Sequence, residues 1–472
     1  MEAPFFDMKG DSYVCQGCVG NETLYQEIER DGEINDCSYC NRNDLHCVTL
    51  HSLARRVAPV YEQLVSEVEH EPEFDDDSDT VEWVQRGESP TQIISDMIES
   101  SEFSVAEDIV EYLSSVSSSD DLARGLYEAS NDVFEVRVPE NQNLRYAWAD
   151  FCQSVKHSRR FFADETTKVL DAILGPILDG TNPKVGHAIK AIGGDKADNN
   201  IRFIFRGRVA HDEDTQKRIY ASPARELAAP SPQKATAGRM NPAGISMFYG
   251  SLDQTTCVAE LRVPVGGQAI VGKFEIIRPL RVLDLSALDT VKGETDYFDP
   301  AFFEKHAYAG FIRGFHNEIK RSVIPGHEPL EYLPTQVVAE YLWTRDHNSV
   351  DALIFGSAQL SGNRKNVVLF PGSHEVQVGG DDVVNVENIF RSRPDEYDDD
   401  YIESVWFTDM PAHLAAKPVR QAPERFLQEE PAFPPTLRLH KESLMCMVVN
   451  RIEYHTTDFR VTFQHEPENP EF

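Results

Sequence analysis

Residues 238–262 read Gly-Arg-Met-Asn-Pro-Ala-Gly-Ile-Ser-Met-Phe-Tyr-Gly-Ser-Leu-Asp-Gln-Thr-Thr-Cys-Val-Ala-Glu-Leu-Arg. Gly238, Pro242 and Gly244 punctuate a tight turn. Ile245–Tyr249 is mostly large and apolar, which predicts a short strand. Ser251 followed by Gln254 is a capping-box pattern that predicts a helix start, with Glu260 about two turns inside it. A guanidinium (Arg239), a phenol (Tyr249) and a carboxylate (Glu260) are thereby expected on three adjoining elements. Singly, each has an ordinary reading: a solvated arginine, a tyrosine closing a strand, a surface glutamate.

The spacing within the segment, G-R-x-N-P-x-G with a later Tyr and Glu, resembles the core of the RES domain, a family of NAD-consuming proteins with an ADP-ribosyltransferase-like fold. Other segments extend the resemblance in family order. Asn200-Ile-Arg-Phe-Ile-Phe-Arg-Gly-Arg208 supplies Arg206 on a first strand. Tyr332-Leu-Pro-Thr-Gln336 is similar to the family's Y-x-x-T-Q helix entry, and Asp351-Ala-Leu-Ile-Phe-Gly-Ser357 to the strand ending in its serine. Asn366-Val-Val-Leu-Phe370 is similar to its closing strand. Met240 stands where the family usually has tryptophan, and Arg364 where the closing motif has glycine.

The resemblance implies NAD as substrate and a site built from Arg206, Arg239, Tyr249, Glu260, Ser357 and Asn366. Breaking the nicotinamide–ribose bond develops positive charge on the sugar, which a carboxylate such as Glu260 stabilises. The pyrophosphate calls for guanidinium forks, and Arg206 and Arg239 suit it. Tyr249 is expected to stack on the nicotinamide or ribose and offer its hydroxyl. Ser357 is read as a hydrogen-bond donor, not a nucleophile. Arg208 shares a strand face with Arg206 and reads as a phosphate contact or a surface ion pair. The acceptor stays open among inorganic phosphate, water and a macromolecule. A toxin or defence role, with a regulatory or antitoxin protein as partner, goes with the same resemblance.

Cys15-x-x-Cys18 and Cys37-x-x-Cys40 have the spacing of a four-thiolate zinc site, structural because four thiolates leave no open position. His46 and Cys47 lie close enough to replace a ligand. Met1–Ser12 lacks a basic-then-apolar signal, and no uninterrupted apolar run has membrane-spanning length. The expectation is a cytoplasmic protein with reduced thiols. A net charge of −34 opposes nucleic-acid binding as a main activity.

At 472 residues the chain is expected to form several domains. The reading is α+β: a zinc unit over 1–50, a helical accessory domain over 51–180, a RES domain over 198–378, and an acidic, Pro-rich segment with a β-rich tail over 379–472. Apolar residues at helical spacing in 49–68 predict a helix that kinks or restarts at Pro59. The acidic run Glu71–Glu82 reads as a solvated loop, and Gly175–Asp198 as a linker. The zinc and helical parts resemble the HEPN-like domain that precedes some RES domains. The R-x(4–6)-H pair of HEPN ribonucleases is missing from residues 1–200, so this part reads as non-catalytic.

Overall fold

The computed structural model describes residues 12–453 apart from 69–70, 76–79, 85–86, 117–124, 128–132, 139–141, 160–163, 195–200, 322, 325, 346–348, 379–383, 393–401 and 410–432. The chain divides into two compact units, residues 1–150 with 291–313, and residues 151–290 with 314–472.

In the first unit, Tyr13–Cys15, Leu45–Thr49 and Glu33–Asn35 form an antiparallel sheet with Leu45–Thr49 in the middle. Thr49 then caps helix Leu50–Leu64, its side chain accepting from Ser52 N at 3.2 Å. The helix runs unbroken through Pro59, where the sequence predicts a kink or restart. Proline removes one backbone donor there, but the buried stripe of Leu50, Leu53, Val57, Tyr61 and Leu64 brackets it and sustains the helix. Helices Glu22–Asp31, Pro90–Met97 and Phe103–Val116 bury their apolar faces in the same core. Phe298 and Phe302 join that core, so residues 291–313 belong here although they lie inside the 198–378 segment. Polar contacts fasten them: Asp296 accepts from Asn21 at 3.0 Å and Thr23 at 2.7 Å, and Arg56 donates to the Phe298 carbonyl at 2.9 Å. The acidic run is no simple loop, because Glu71–Asp75 and Thr80–Val84 pair as antiparallel strands. Phe74, Val81, Trp83 and Val84 supply β-forming residues among the acids. Within the acidic segment over 379–472, the run Asp395–Tyr401, which the sequence reads as another solvated loop, lies outside the described residues.

The second unit is built on one eight-stranded sheet: β1 (Ile189–Ile192), β2 (Phe203–Val209), β3 (Phe248–Ser251), β4 (Gln268–Ile276), β5 (Leu280–Asp284), β6 (Ala352–Gly356), β7 (Lys365–Leu369) and β8 (Leu437–Val448). Their order is β8-β4-β2-β3-β7-β6-β5-β1, antiparallel except between β5 and β6. Two expectations change. The stretch read as a linker contains the edge strand β1, preceded by helix Asp164–Leu178. The β-rich tail, expected to place strands at Leu437–Leu439 and Leu444–Tyr454, forms one long strand instead, β8, paired with β4 from Gln268↔Val448 to Ile276↔Leu437. Leu437 and Leu439 lie in the sheet's core beside Phe274, and burial of those side chains explains why the strand docks here. The further tail strand read at Phe459–Gln464 lies outside the described residues. Helices α1 (Gln254–Glu260), α2 (Phe302–Lys320) and α3 (Leu333–Thr344) carry or face the residues of interest. The architecture is α+β. Among the described residues no helix is long and apolar enough to cross a membrane.

Candidate functional site

The loop from Gly238 is tied from several sides. Strand β3 begins at Phe248, later than the Ile245 the sequence predicts, so residues 245–247 remain loop. Tyr249 projects from the strand back to the loop, its hydroxyl donating to Asn241 Oδ1 at 2.6 Å and accepting from Met240 N at 3.0 Å. Asn241, 3% exposed, turns its amide to the carbonyls of Thr236, Pro242 and Ile245 at 2.8–3.0 Å. From α3, Gln336 Nε2 donates to Gly238 O at 2.8 Å and Asn241 O at 3.1 Å, while Thr335 Oγ1 donates to Arg239 O at 2.5 Å. Gly238 has to be glycine for this packing: a Cβ there would lie 2.7 Å from both Asn241 Oδ1 and the Tyr249 hydroxyl oxygen. The Tyr249 hydroxyl expected to meet a ligand is therefore engaged with its own loop. Burial pushes the phenol up to about 12 against the pull of the Met240 N–H, Arg206 and Arg239, so it stays protonated at neutral pH.

Arg239 leaves this loop toward the C-terminal end of α2, where Nη1 donates to Ile319 O at 3.0 Å and Arg321 O at 2.7 Å. Those are end-of-helix carbonyls, which lack intrahelical donors and carry the negative end of the dipole. The guanidinium also lies over the Tyr332 ring, 5.2 Å from its centroid. Burial lowers its pKa, against the opposing pull of Tyr332, Glu260 and Tyr249.

Glu260 ends α1. The cap of that helix is Asp253 rather than Ser251: its carboxylate accepts from Thr256 N at 2.9 Å. Arg364 pairs with the same carboxylate at 3.1 Å, which gives a role to the residue standing at the glycine position of the closing motif. Ser251, freed from capping, is 2% exposed and donates to Asn366 Oδ1 at 2.8 Å. Asn366 then donates through Nδ2 to Glu260 Oε1 at 2.7 Å, and Ser357 Oγ donates to the same oxygen at 2.6 Å. Ser357 itself accepts from Gln359 N and Leu360 N at 3.1 and 3.2 Å. Glu260, Ser357 and Asn366 thus meet from three elements, and among the described residues no cation pairs with the carboxylate. A carboxylate with one oxygen held by two neutral donors is suited to stabilising a positive charge that develops beside it.

Arg206 sits on β2 at a cleft of about 310 Å³, with Thr236, Gly238, Asn241, Met247 and Tyr249 around it. Its Nη1 donates to Tyr249 O at 2.8 Å, and its guanidinium lies 4.7 Å from the Phe248 ring centroid. The Nε is buried without a hydrogen-bond partner. Burial, with repulsion from Arg208, brings this guanidinium down to about 10. Arg208 forms no ion pair among the described residues; it is half-buried, with Nε lacking a hydrogen-bond partner and Nη2 donating to Ala228 O at 3.5 Å. Met240, at the family's tryptophan position, is fully buried, and Met247 is the methionine at the cleft.

Sequence reasoning assigned no role to Asn241, Thr335 and Gln336, which organise the loop. Their signal was polarity inside G-R-x-N and Y-x-x-T-Q where neighbouring residues are apolar.

In the first unit the sulfurs of Cys15, Cys18, Cys37 and Cys40 all lie within 4.8 Å of one another. Neighbouring separations are 3.6, 3.7 and 3.8 Å, too long for disulfides. About 3.8 Å is the edge of a sulfur tetrahedron around an ion bound at ~2.3 Å, so the four thiols fit a tetrahedral metal ion. Burial and mutual interaction push Cys15 and Cys18 up; burial also raises Cys40, but hydrogen bonds from Arg42, whose Nε donates to Sγ at 3.2 Å, and from Cys37 and Cys15 together bring it to about 6. Cys47 is buried nearby with its thiol toward Asn35 O at 3.5 Å, and His46 Nδ1 is 3.3 Å from Gly32 O; neither belongs to the cluster.

Residues 208–388 match the family model of the RES domain, and residues 30–169 match that of HEPN/RES N-terminal domain 1. No curated protein matches the sequence. RES domains are associated with NAD-using enzymes. The chain carries a RES domain preceded by a HEPN/RES N-terminal domain.

Proposed function

We propose that this protein cleaves the nicotinamide–ribose bond of NAD, passing the ADP-ribosyl group to inorganic phosphate or water. The observation that carries this reading is the Glu260 carboxylate, held on one oxygen by Ser357 and Asn366 and unpaired with any cation among the described residues. In the reaction the bond from ribose C1′ to the pyridinium nitrogen breaks, its electron pair leaves with neutral nicotinamide, and a phosphate or water oxygen bonds to C1′. Positive charge peaks on the ribose between those events, and Glu260 is the group that meets it. Fixed donors hold the carboxylate, so it needs little reorganisation as the charge appears.

Arg206, a guanidinium lining the cleft with Nη1 tied to Tyr249 O, suits a pyrophosphate oxygen. Arg239, anchored through Nη1, adds positive charge near Glu260. Tyr249 acts by holding the Arg239 loop and by presenting its ring at the cleft. The four cysteines hold structural zinc in this reading, since thiolates at tetrahedral spacing suit that ion and leave no position for substrate. As an NAD-depleting enzyme the protein would serve as a toxin or defence effector.

The test is a time course of NAD with purified, zinc-loaded protein, with and without inorganic phosphate, products resolved by chromatography. Nicotinamide release that requires phosphate identifies a phosphorylase, and release without it a glycohydrolase. ADP-ribose attached to protein would replace both with a target-specific transferase. Folded protein that releases no nicotinamide would sink the proposal.

A further inference from the structure

We infer that His316 is a positioning residue for the Glu260 site, acting through the backbone of Gly356 and the side chain of Ser357. This rests on the reading of Glu260 given above.

His316 lies on α2 and is 1% exposed. Its Nε2 accepts a hydrogen bond from Gly356 N at 2.8 Å. Its Nδ1 lies 2.9 and 3.0 Å from the two Asp289 carboxylate oxygens. A ring that accepts at Nε2 and faces a carboxylate at Nδ1 carries its one proton at Nδ1, so Asp289 sets the tautomer that Gly356 requires. Gly356 ends β6 and directly precedes Ser357, the residue that donates to Glu260 at 2.6 Å. A Cβ at 356 would stand 3.2–3.3 Å from the imidazole, so glycine lets the ring lie against the strand end. Ser357 N is in turn fixed to Arg364 O at 2.7 Å. The run of contacts goes from Asp289 through His316, Gly356 and Ser357 to Glu260, and only the last two belong to the site.

The charged groups facing His316 are Asp289, Asp284 at the end of β5, and Lys320 one turn along α2; Asp284 is neutralised by Lys190 at 2.6 Å and Lys365 at 3.1 Å. Burial lowers the imidazole pKa, with Asp289 pulling the other way. Neutral imidazole therefore prevails at neutral pH, and acid adds a proton at Nε2. That proton would oppose the Gly356 N–H donor to donor, and the strand end would have to move, taking Ser357 from Glu260.

Two substitutions separate positioning from bulk. His316→Gln keeps an acceptor for Gly356 and cannot be protonated; His316→Leu removes the acceptor. For Leu, kcat for nicotinamide release is expected to fall about tenfold, as for one lost hydrogen bond, with KM for NAD little changed. Gln should restore most of that rate and abolish the acid limb owed to His316. Asp289→Asn, at a half-exposed position, keeps the protein testable if Leu does not fold; removing the anion should move that limb to lower pH. Wild-type kcat in the Leu variant, or the same acid limb in Gln, would overturn the inference.

A second readout needs no turnover. In protein labelled with 15N at His, Gly and Ser, a coupling across the Gly356–His316 hydrogen bond should appear, and the Ser357 amide should shift as the ring titrates. Absence of that coupling overturns the inference whatever the protein does to NAD. Absence of NAD cleavage with the coupling and Ser357 shift intact would instead overturn the assigned reaction, leaving His316 as the residue that places Ser357.

Discussion

The cysteine cluster and the Glu260 cluster each gather side chains within a few ångströms, but they do so by different means. Two C-x-x-C pairs on short local turns bring four sulfurs together, and the ion they fit would hold them there. Glu260, Ser357 and Asn366 come from a helix end, a strand end and a strand more than a hundred residues from Glu260, and no ion is needed to hold them. Sheet register does that work: Ser251 pairs with Asn366, and Phe355 pairs with Asn366 from the other side. A cluster of the first kind depends on its ligand, one of the second kind on the surrounding core.

The largest expected effect therefore falls on the cysteines. Chelating the metal or replacing Cys18 with serine should unfold the first unit, since binding at such sites contributes roughly 10 kcal/mol or more to folding. Thermal unfolding with and without chelator measures it, and an unchanged first-unit transition would remove the metal from the account. For the second cluster, Glu260→Gln should leave unfolding unchanged and lower kcat by about 10²–10³. A Gln variant with full activity would take away the role of the carboxylate.

Asn241→Ala should be smaller in rate but visible in stability. It strips the loop of its central amide and leaves the Tyr249 hydroxyl short of an acceptor, a cost of about 1–3 kcal/mol by denaturant titration. An equally stable variant would show that Gln336 and Thr335 hold the loop alone. Ser357→Ala, which removes one of two donors to Glu260, should cost about tenfold in kcat. Loss as large as that of Glu260→Gln would mean that Ser357 does more than orient.

Much of this was legible in the chain. The C-x-x-C spacing picked out the four cysteines that cluster, because turns that short leave the thiols few places to go. The order of the RES-like segments marked Arg206, Arg239, Tyr249, Glu260, Ser357 and Asn366 together. Local errors have local causes: Asp253 displaced Ser251 as helix cap because a carboxylate accepts from Thr256 through both its N–H and its hydroxyl. Pro59 was tolerated because tertiary burial outweighs one missing backbone bond.

Composition, spacing and motif order by themselves determined the α+β class and the four cysteines that could hold a metal ion. Only the tertiary structure decided how the residues of the candidate site are used. It turned the Tyr249 hydroxyl into the loop, set Arg239 against the end of α2, and brought β8 in as the outer strand of the sheet. It also placed residues 291–313 in the first unit and His316 behind Ser357. The reason is physical. Spacing encodes contacts made within a few residues, whereas which donor meets which acceptor across a hundred residues depends on strand register and on what the core buries, neither of which is written at any one position.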